Sequence, residues 1–186
     1  MPTDIALALH SLVPRARYRG SLTANRREAY DAIIWLPEEN RPKPSWPQIL
    51  DAALALAKTN KKTECHDYAL EKCALGFSFD NKRFNVGEGK VANILALRYV
   101  ADNQSLIWEP VPIITTAGEF YTVSEIEDMV AFSEAALAFR RGVNSSDVTH
   151  QNAIDALEVR DHDDQIDVAA TIEAVESYDF TTGWPA

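Results

Sequence analysis

Cys65 and His66 stand side by side, and Cys73 follows eight residues later. A thiol beside an imidazole is the raw material of a metal centre or a thiol nucleophile. The spacing argues for neither. All three residues fall in "CHDYALEKCAL", which reads as helix, where neighbouring side chains point about 100° apart, and no second ligand pair at zinc spacing exists in the sequence. Two cysteines eight apart on a helix are separated by a rise of about 12 Å, beyond the ~4.4 to 6.8 Å Cα separation that a disulfide tolerates. The expectation is a pair of reduced helical core thiols and no metal site.

The densest acidic run, "RDHDDQID" at 160–167, could be taken for a calcium loop. It lacks the central glycine and terminal glutamate of that pattern, so its aspartates are expected to supply capping charge to the N-terminus of the last helix. His150 and His162 lie in polar contexts, with no serine or cysteine that the sequence places beside them. None of the seven glycines falls in a GxGxxG or GxxxxGK[ST] pattern, and GxSxG, HExxH and CxxC are absent. "GEG" at 87–89 is too short to cradle a phosphate. Carboxylate pairs for glycoside cleavage are set by distance in space, so an enzyme acting on cell-wall sugar stands as a third reading. The sequence is read as that of a non-enzyme, with no catalytic residues, cofactor or small-molecule substrate.

The elements around these residues follow from periodicity. Ile5 to Leu12 reads as one or two helical turns closed by Pro14, and "ARYRGS" and "YDAIIWL" as two strands joined by the polar "LTANRRE". Ser45 with Gln48 has the spacing of a capping box, with Pro47 in the first turn. A helix follows from Ile49, which the polar "KTNKKTE" is expected to break or expose, and a second helix ends at Gly76. "GFSFDNKRFNV" reads as a hairpin turning at Asn81-Lys82, its phenylalanines in the core. Gly87 to Ala101 reads as a helix with Val91, Ile94, Leu95 and Tyr99 on one face. "LIWEPVPIITTAGEFYTV" reads as a second hairpin turning at Ala117-Gly118, its prolines confining one strand to an edge.

Ser124 with Glu127 repeats the capping-box spacing and opens a helix striped by Ile126, Met129, Val130, Ser133 and Leu137, expected to end near Arg140-Arg141-Gly142. Two further helical pieces are expected at Gln151–Val159 and Gln165–Ser177, before an irregular "YDFTTGWPA". This order is α+β: one helix-rich domain with short β-hairpins and an extended N-terminal segment. Residues 1–47 are expected to form strands and a Pro-rich arm, and 48–186 the helix-rich domain with its tail.

That arm is "IIWLPEENRPKPSWPQIL", which holds four of the chain's nine prolines and two of its four tryptophans. It is either an ordinary strand-to-helix connection or a stiff segment that presents Trp35 or Trp46 to another chain. Pro42 and Pro44 would lower the entropy of docking, and tryptophan is enriched among interface anchors. Trp184 near the C-terminus is either tucked onto the chain's own core or a further anchor.

The net charge of −10 is unevenly spread. Residues 1–100 carry 15 Lys and Arg against 11 Asp and Glu, whereas 101–186 carry 3 against 17, a balance of +4 and −14. Either the two signs lie on separate solvated surfaces, or the basic end of one copy meets the acidic end of another copy or another protein. Arg15 and Arg17 belong to the basic end. The overall acidity argues against nucleic acid as the main partner. No apolar run reaches the roughly 18 to 20 residues that span a bilayer, and "MPTDIALALHSLVPRAR" fits poorly as a secretion signal, so a cytoplasmic origin without membrane association is expected.

The stretch from "CHDYALEKCALGFSFDNKRFNV" through "NILALRYVADNQSLIWEPVPIITTAGEFYTVSEIEDMVAFSEAALAF" to "HQNAIDAL" resembles a domain of unknown function found in tailed-phage tail, baseplate and tail-fibre proteins. "YDAIIWLPEENRPKPSWPQIL" is similar to a segment of small phage tail proteins. The resemblance implies a structural virion component, assembled in the host cytoplasm and held by other virion proteins or copies of itself. The alternative it leaves is a tail-fibre assembly chaperone absent from the mature virion. It carries over no functional residues but favours the stiff-arm reading, in which Trp46 and Trp184 are expected as anchors before Trp35; Pro42, Pro44, Arg15 and Arg17 complete the expected interface residues.

Overall fold

The computed structural model describes residues 4–24, 26–103 and 108–186. In chain order these form α1 (Ile5–Leu12), β1 (Tyr18–Arg19), α2 (Arg27–Ala32), β2 (Ile34–Trp35), α3 (Trp46–Leu75), β3 (Phe77–Phe79), β4 (Lys82–Phe84), α4 (Lys90–Asn103), β5 (Val111–Ile114), β6 (Phe120–Val123), α5 (Ile126–Ala156) and α6 (Val168–Glu176). The strands pair as three two-stranded antiparallel sheets. The chain is therefore α+β with helix in the majority. Asn25 of the expected polar connection, and Leu106 and Ile107 of the expected second hairpin, lie outside the described residues. Contacts group the chain into two compact units, one of residues 1–64 with 151–179, the other of 65–150 with 180–186. The division expected at residue 47 falls inside α3.

In the first unit the Asp4 carboxylate accepts the Ala6 N–H at 2.7 Å and opens α1. Ile5, Ala8 and Leu9 of that helix join Leu22, Tyr30, Ile33, Ile49 and Ala53 in one core. β1 and β2 pair Tyr18 with Trp35 and Arg19 with Ile34. The expected strand "YDAIIWL" is shorter than its apolar run suggested. Tyr30 to Ala32 belong to α2, because Tyr30 is buried as a helical residue with its hydroxyl donating to the Pro44 carbonyl.

The capping box at Ser45 forms as expected: the Ser45 N–H donates to Gln48 Oε1 at 2.8 Å, and the Gln48 N–H to Ser45 Oγ at 3.5 Å. The break expected at "KTNKKTE" does not occur, and α3 runs unbroken for 30 residues. Lysines are good helix formers, and these have partners within the first unit. Lys58 donates to the Asp155 carbonyl at 2.7 Å and Lys61 to the Glu176 carbonyl at 2.9 Å, the last turns of α5 and α6. Each ammonium thus caps the negative end of a helix. Lys62 pairs with the Asp155 carboxylate at 3.0 Å. The acidic run also caps as expected: Asp167 accepts the Ala170 N–H at 3.0 Å, while Asp161 ties the preceding turn through the N–H groups of Asp163 and Gln165.

In the second unit α3 ends at Gly76, whose φ of +77° suits the residue that follows a helix. A Cβ there would lie 1.9 Å from the Phe84 carbonyl oxygen. The hairpin β3–β4 turns at Asp80-Asn81, with φ of 47° and 58°, one residue before the expected position. Two consecutive positive φ values are what a two-residue hairpin turn needs, and Asp and Asn tolerate them better than Lys. Phe77, Phe84 and Phe132 lie in the core. α4 buries Ile94 and Ala101, with Leu97 half-buried, so Leu95 and Tyr99, expected on its inner face, are exposed.

α5 begins one residue later than the Ser124 spacing implied, its first bond running from Met129 N–H to the Glu125 carbonyl at 3.2 Å. It does not end at Gly142. The Pro185 ring lies 3.3 Å from where a Gly142 Cβ would be, so the glycine serves tail packing within a continuing helix. Among the described residues no helix is long and apolar enough to cross a membrane.

Candidate functional site

The proline-rich segment is fastened within the first unit. The Arg41 guanidinium grips both Glu39 oxygens, at 2.6 and 2.8 Å, and donates to the Pro14 carbonyl at 3.0 Å. Glu39 also accepts the Arg17 N–H at 3.2 Å. The Arg41 fork holds the Glu39 carboxyl down to about 2, against an opposing contribution from burial. Trp35 donates its indole N–H to the Arg41 carbonyl at 2.9 Å. Trp46 lies against Tyr30, ring centroids 5.6 Å apart, and the Lys43 ammonium sits over the Tyr30 ring, 4.6 Å from its centroid. The stretch is thus a braced strand-to-helix connection. Pro42 and Pro44 share a shallow depression with Leu12, Val13 and Arg41. Trp35, Trp46 and Pro44 are half-buried, whereas Pro42, Arg15 and Arg17 are exposed.

Trp184 belongs to the second unit, tucked onto its own neighbours. Its ring stacks on His150 at 5.3 Å and meets Tyr68 edge-on at 5.4 Å, and its N–H donates to the Phe180 carbonyl at 2.6 Å.

Cys65 and Cys73 are buried free thiols, as the helical spacing required. Cys65 donates to Asp147 Oδ1 at 3.6 Å, and His66 Nδ1 lies 2.9 Å from Oδ2 of the same carboxylate. Burial first, then the charge and hydrogen bond of Asp147, push the Cys65 thiol up to about 11. The thiolate is the nucleophilic form, so this environment suppresses nucleophilic chemistry. The carboxylate shared by thiol and imidazole instead pins α3 to α5. Among the described residues no three His, Cys, Asp or Glu side chains converge as metal ligands.

Two features of the second unit were missed in the sequence. The outer face of β5–β6 carries Ile114 opposite Phe120, 59% and 71% exposed. Beside it a groove of about 240 Å³ runs between β5 and α4, floored by Phe84, Ile94 and Phe132, with Lys90 and Asn93 at its wall. The available signal was in the strands themselves: "VPII" and "FYTV" place apolar residues on both faces, and one two-stranded sheet on a core has room to bury one face. Comparison with protein-family models, with curated proteins and with solved structures returns no match.

Proposed function

We propose that the chain works by protein–protein contact, as a structural component of a tailed-phage virion in the tail, baseplate or fibre-attachment region. The observation that carries the contact part is the Ile114–Phe120 pair. Two large apolar side chains stand opposite each other and exposed on a two-stranded sheet. Covering each by a neighbour is worth about 1.5 to 3 kcal/mol of hydrophobic free energy. The exposed Arg15, Arg17 and Pro42 offer a second, basic contact face on the first unit. The virion setting is supported by the layout of the sequence: helix, phenylalanine hairpin, helix, paired strands, long helix with a histidine near its end.

The groove beside β5 favours a second reading, a tail-fibre assembly chaperone, because a preformed cleft suits transient capture of a segment that later leaves. Quantitative mass spectrometry of purified particles separates the two. A fixed small multiple of three or six copies per particle is the outcome expected of a structural component. Absence from particles, with abundant protein left in the lysate, would sink that reading in favour of the chaperone.

A further inference from the structure

We propose that the open edge of β5 takes up an extended acidic segment of a partner protein as a third strand, the groove receiving one of its apolar side chains and Lys90 one of its carboxylates. The inference rests on the contact reading above and gives it a surface and a partner chemistry.

Pro112 fixes which backbone groups are offered. It stands opposite Thr122 in the ladder, and a proline, lacking an N–H, keeps its place in a strand where that N–H would point away from the partner strand. In an antiparallel pair alternate residues turn inward and outward. Consistent with that phase, the inward Thr115 N–H donates to the Glu119 carbonyl at 2.9 Å. The Pro112 carbonyl and both backbone groups of Ile114 therefore face outward. Among the described residues no other strand pairs with β5. The next outward donor, Thr116 N–H, is taken by the Arg83 carbonyl of β4 at 2.9 Å. The molecule thus caps this edge at one end, and among the described residues nothing pairs with it from Val111 to Ile114.

The groove lies along that open stretch. Its floor of Phe84, Ile94 and Phe132 suits an apolar side chain, and its volume of about 240 Å³ takes one of leucine or phenylalanine size. Lys90 is the charged residue of the lining, and among the described residues it takes part in no ion pair. No carboxylate lines the groove. Charge complementarity therefore selects an acidic segment, and main-chain bonds to the edge give affinity while the pocket gives selectivity.

The test pans a random library of ten-residue peptides against the full chain and synthesises the enriched sequence. Enriched peptides are expected to carry Asp or Glu near an apolar residue. N-methylation at the peptide's ladder-facing amides should weaken binding at least tenfold, and methylation of the alternate amides should not. Lys90→Glu should also weaken binding at least tenfold with an unchanged circular dichroism spectrum, and a peptide with its acids replaced by lysine should recover on that variant. Absence of enrichment, enriched peptides without acids, or binding indifferent to N-methylation or to Lys90→Glu would overturn the proposal. So would a concentration-dependent dimer in ultracentrifugation that Ile114→Pro abolishes, since the occupant would then be a second copy. Each result is independent of copy number in the particle, so failure of this inference and failure of the virion reading are distinguishable.

Discussion

The two hairpins of the second unit share a form and differ in use. β3–β4 and β5–β6 are both two-stranded, antiparallel and closed by turns with positive φ. In the first, the Phe77–Phe84 pair is buried among Phe132 and Phe139, with Phe84 1% exposed. In the second, the inner face is held by Tyr121 against Phe79 and Phe84 and by buried Val123, while the outer face carries Ile114 and Phe120 into solvent. An isolated two-stranded hairpin is marginal in water, so each needs packing from elsewhere. The first obtains it entirely within its own unit; the second obtains half, and among the described residues no element covers its remaining face, where Ile114 and Phe120 stand exposed. One hairpin is spent on the core, and the other keeps an exposed apolar pair, Ile114 and Phe120, on which the proposed contact rests.

The largest contrast is at the glycines. At Gly76 a side chain meets backbone, with the Phe84 carbonyl oxygen 1.9 Å from an added Cβ, and no rotamer relieves that overlap. Gly76→Ala is expected to cost on the order of 5 kcal/mol, an exceptional loss with a named cause. At Gly118, φ is also positive, +81°, but no atom lies within 4 Å of an added Cβ. Gly118→Ala should cost about 1 to 2 kcal/mol, the ordinary penalty of a left-handed L-residue. Urea midpoints of both variants check the pair; equal losses would mean that the hairpins are equally embedded.

Next come the phenylalanines. Phe84→Ala opens a cavity and removes three ring contacts, for an expected loss of about 3 to 5 kcal/mol. Phe120→Ala should stay within about 0.5 kcal/mol of the parent, yet weaken any partner contact made by the outer face. Hydrogen exchange on α5 reads the first effect. A large stability loss from Phe120→Ala would show that the outer face already has internal support.

Most elements were legible because local rules and tertiary packing agreed. Ser45 with Gln48, Asp167 before the last helix, Gly76 after a long one and the alternating phenylalanines each act within a few residues of themselves. The β3–β4 turn was misplaced by one residue on a local ground, the tolerance of Asp80 and Asn81 for positive φ; the larger failures are tertiary. "KTNKKTE" looks like an interruption until Lys58 and Lys61 find helix ends about a hundred residues away in sequence. Gly142 looks like a stop until Pro185 is seen to need its missing side chain. The charge asymmetry pointed outward, and part of it is met inside the chain by Lys62 with Asp155, Lys82 with Glu119 and Arg98 with Glu134. Of the residues read as interface anchors, the tryptophans gave the loudest signal, but Trp35, Trp46 and Trp184 each spend indole surface or N–H on their own unit. The groove depends on which strand edge faces which helix, and that relation has no local signature.

A smaller effect concerns how the hairpins are linked. Tyr121 of the second donates its hydroxyl to Asp80, in the turn of the first, at 3.2 Å. Burial, then that bond and the charge of Asp80, raise the Tyr121 pKa above its ordinary 10.0. A pKa raised by folding contributes stability that is fully present below the unfolded value and is lost as pH rises through the folded one. Unit stability should therefore fall as pH rises past 10. Cys65, raised from 9.0 to about 11, loses its contribution in an overlapping window. Comparing Tyr121→Phe with the parent across pH 8 to 11.5 isolates the tyrosine: the parent should fall more steeply, and parallel curves would remove Tyr121 as the cause.

The smallest expected effect tests whether the two hairpins stand alone. Lys82 of β4 and Glu119, just before β6, form a 3.1 Å ion pair with the lysine side chain partly and the glutamate largely exposed. Exposed pairs are screened and cost side-chain entropy to hold, so Glu119→Gln should lose about 0.2 to 1 kcal/mol, less at high salt. The pair nonetheless lies beside the point where the Arg83 carbonyl accepts the Thr116 N–H, so it sits where the first hairpin caps the edge of the second. If Glu119→Gln also loosens hydrogen exchange at Thr116 while leaving Phe77 to Phe84 protected, the open hairpin leans on the closed one and not the reverse. Equal loosening of both would make them a single four-stranded support, and the division between a buried hairpin and a half-exposed one would no longer hold.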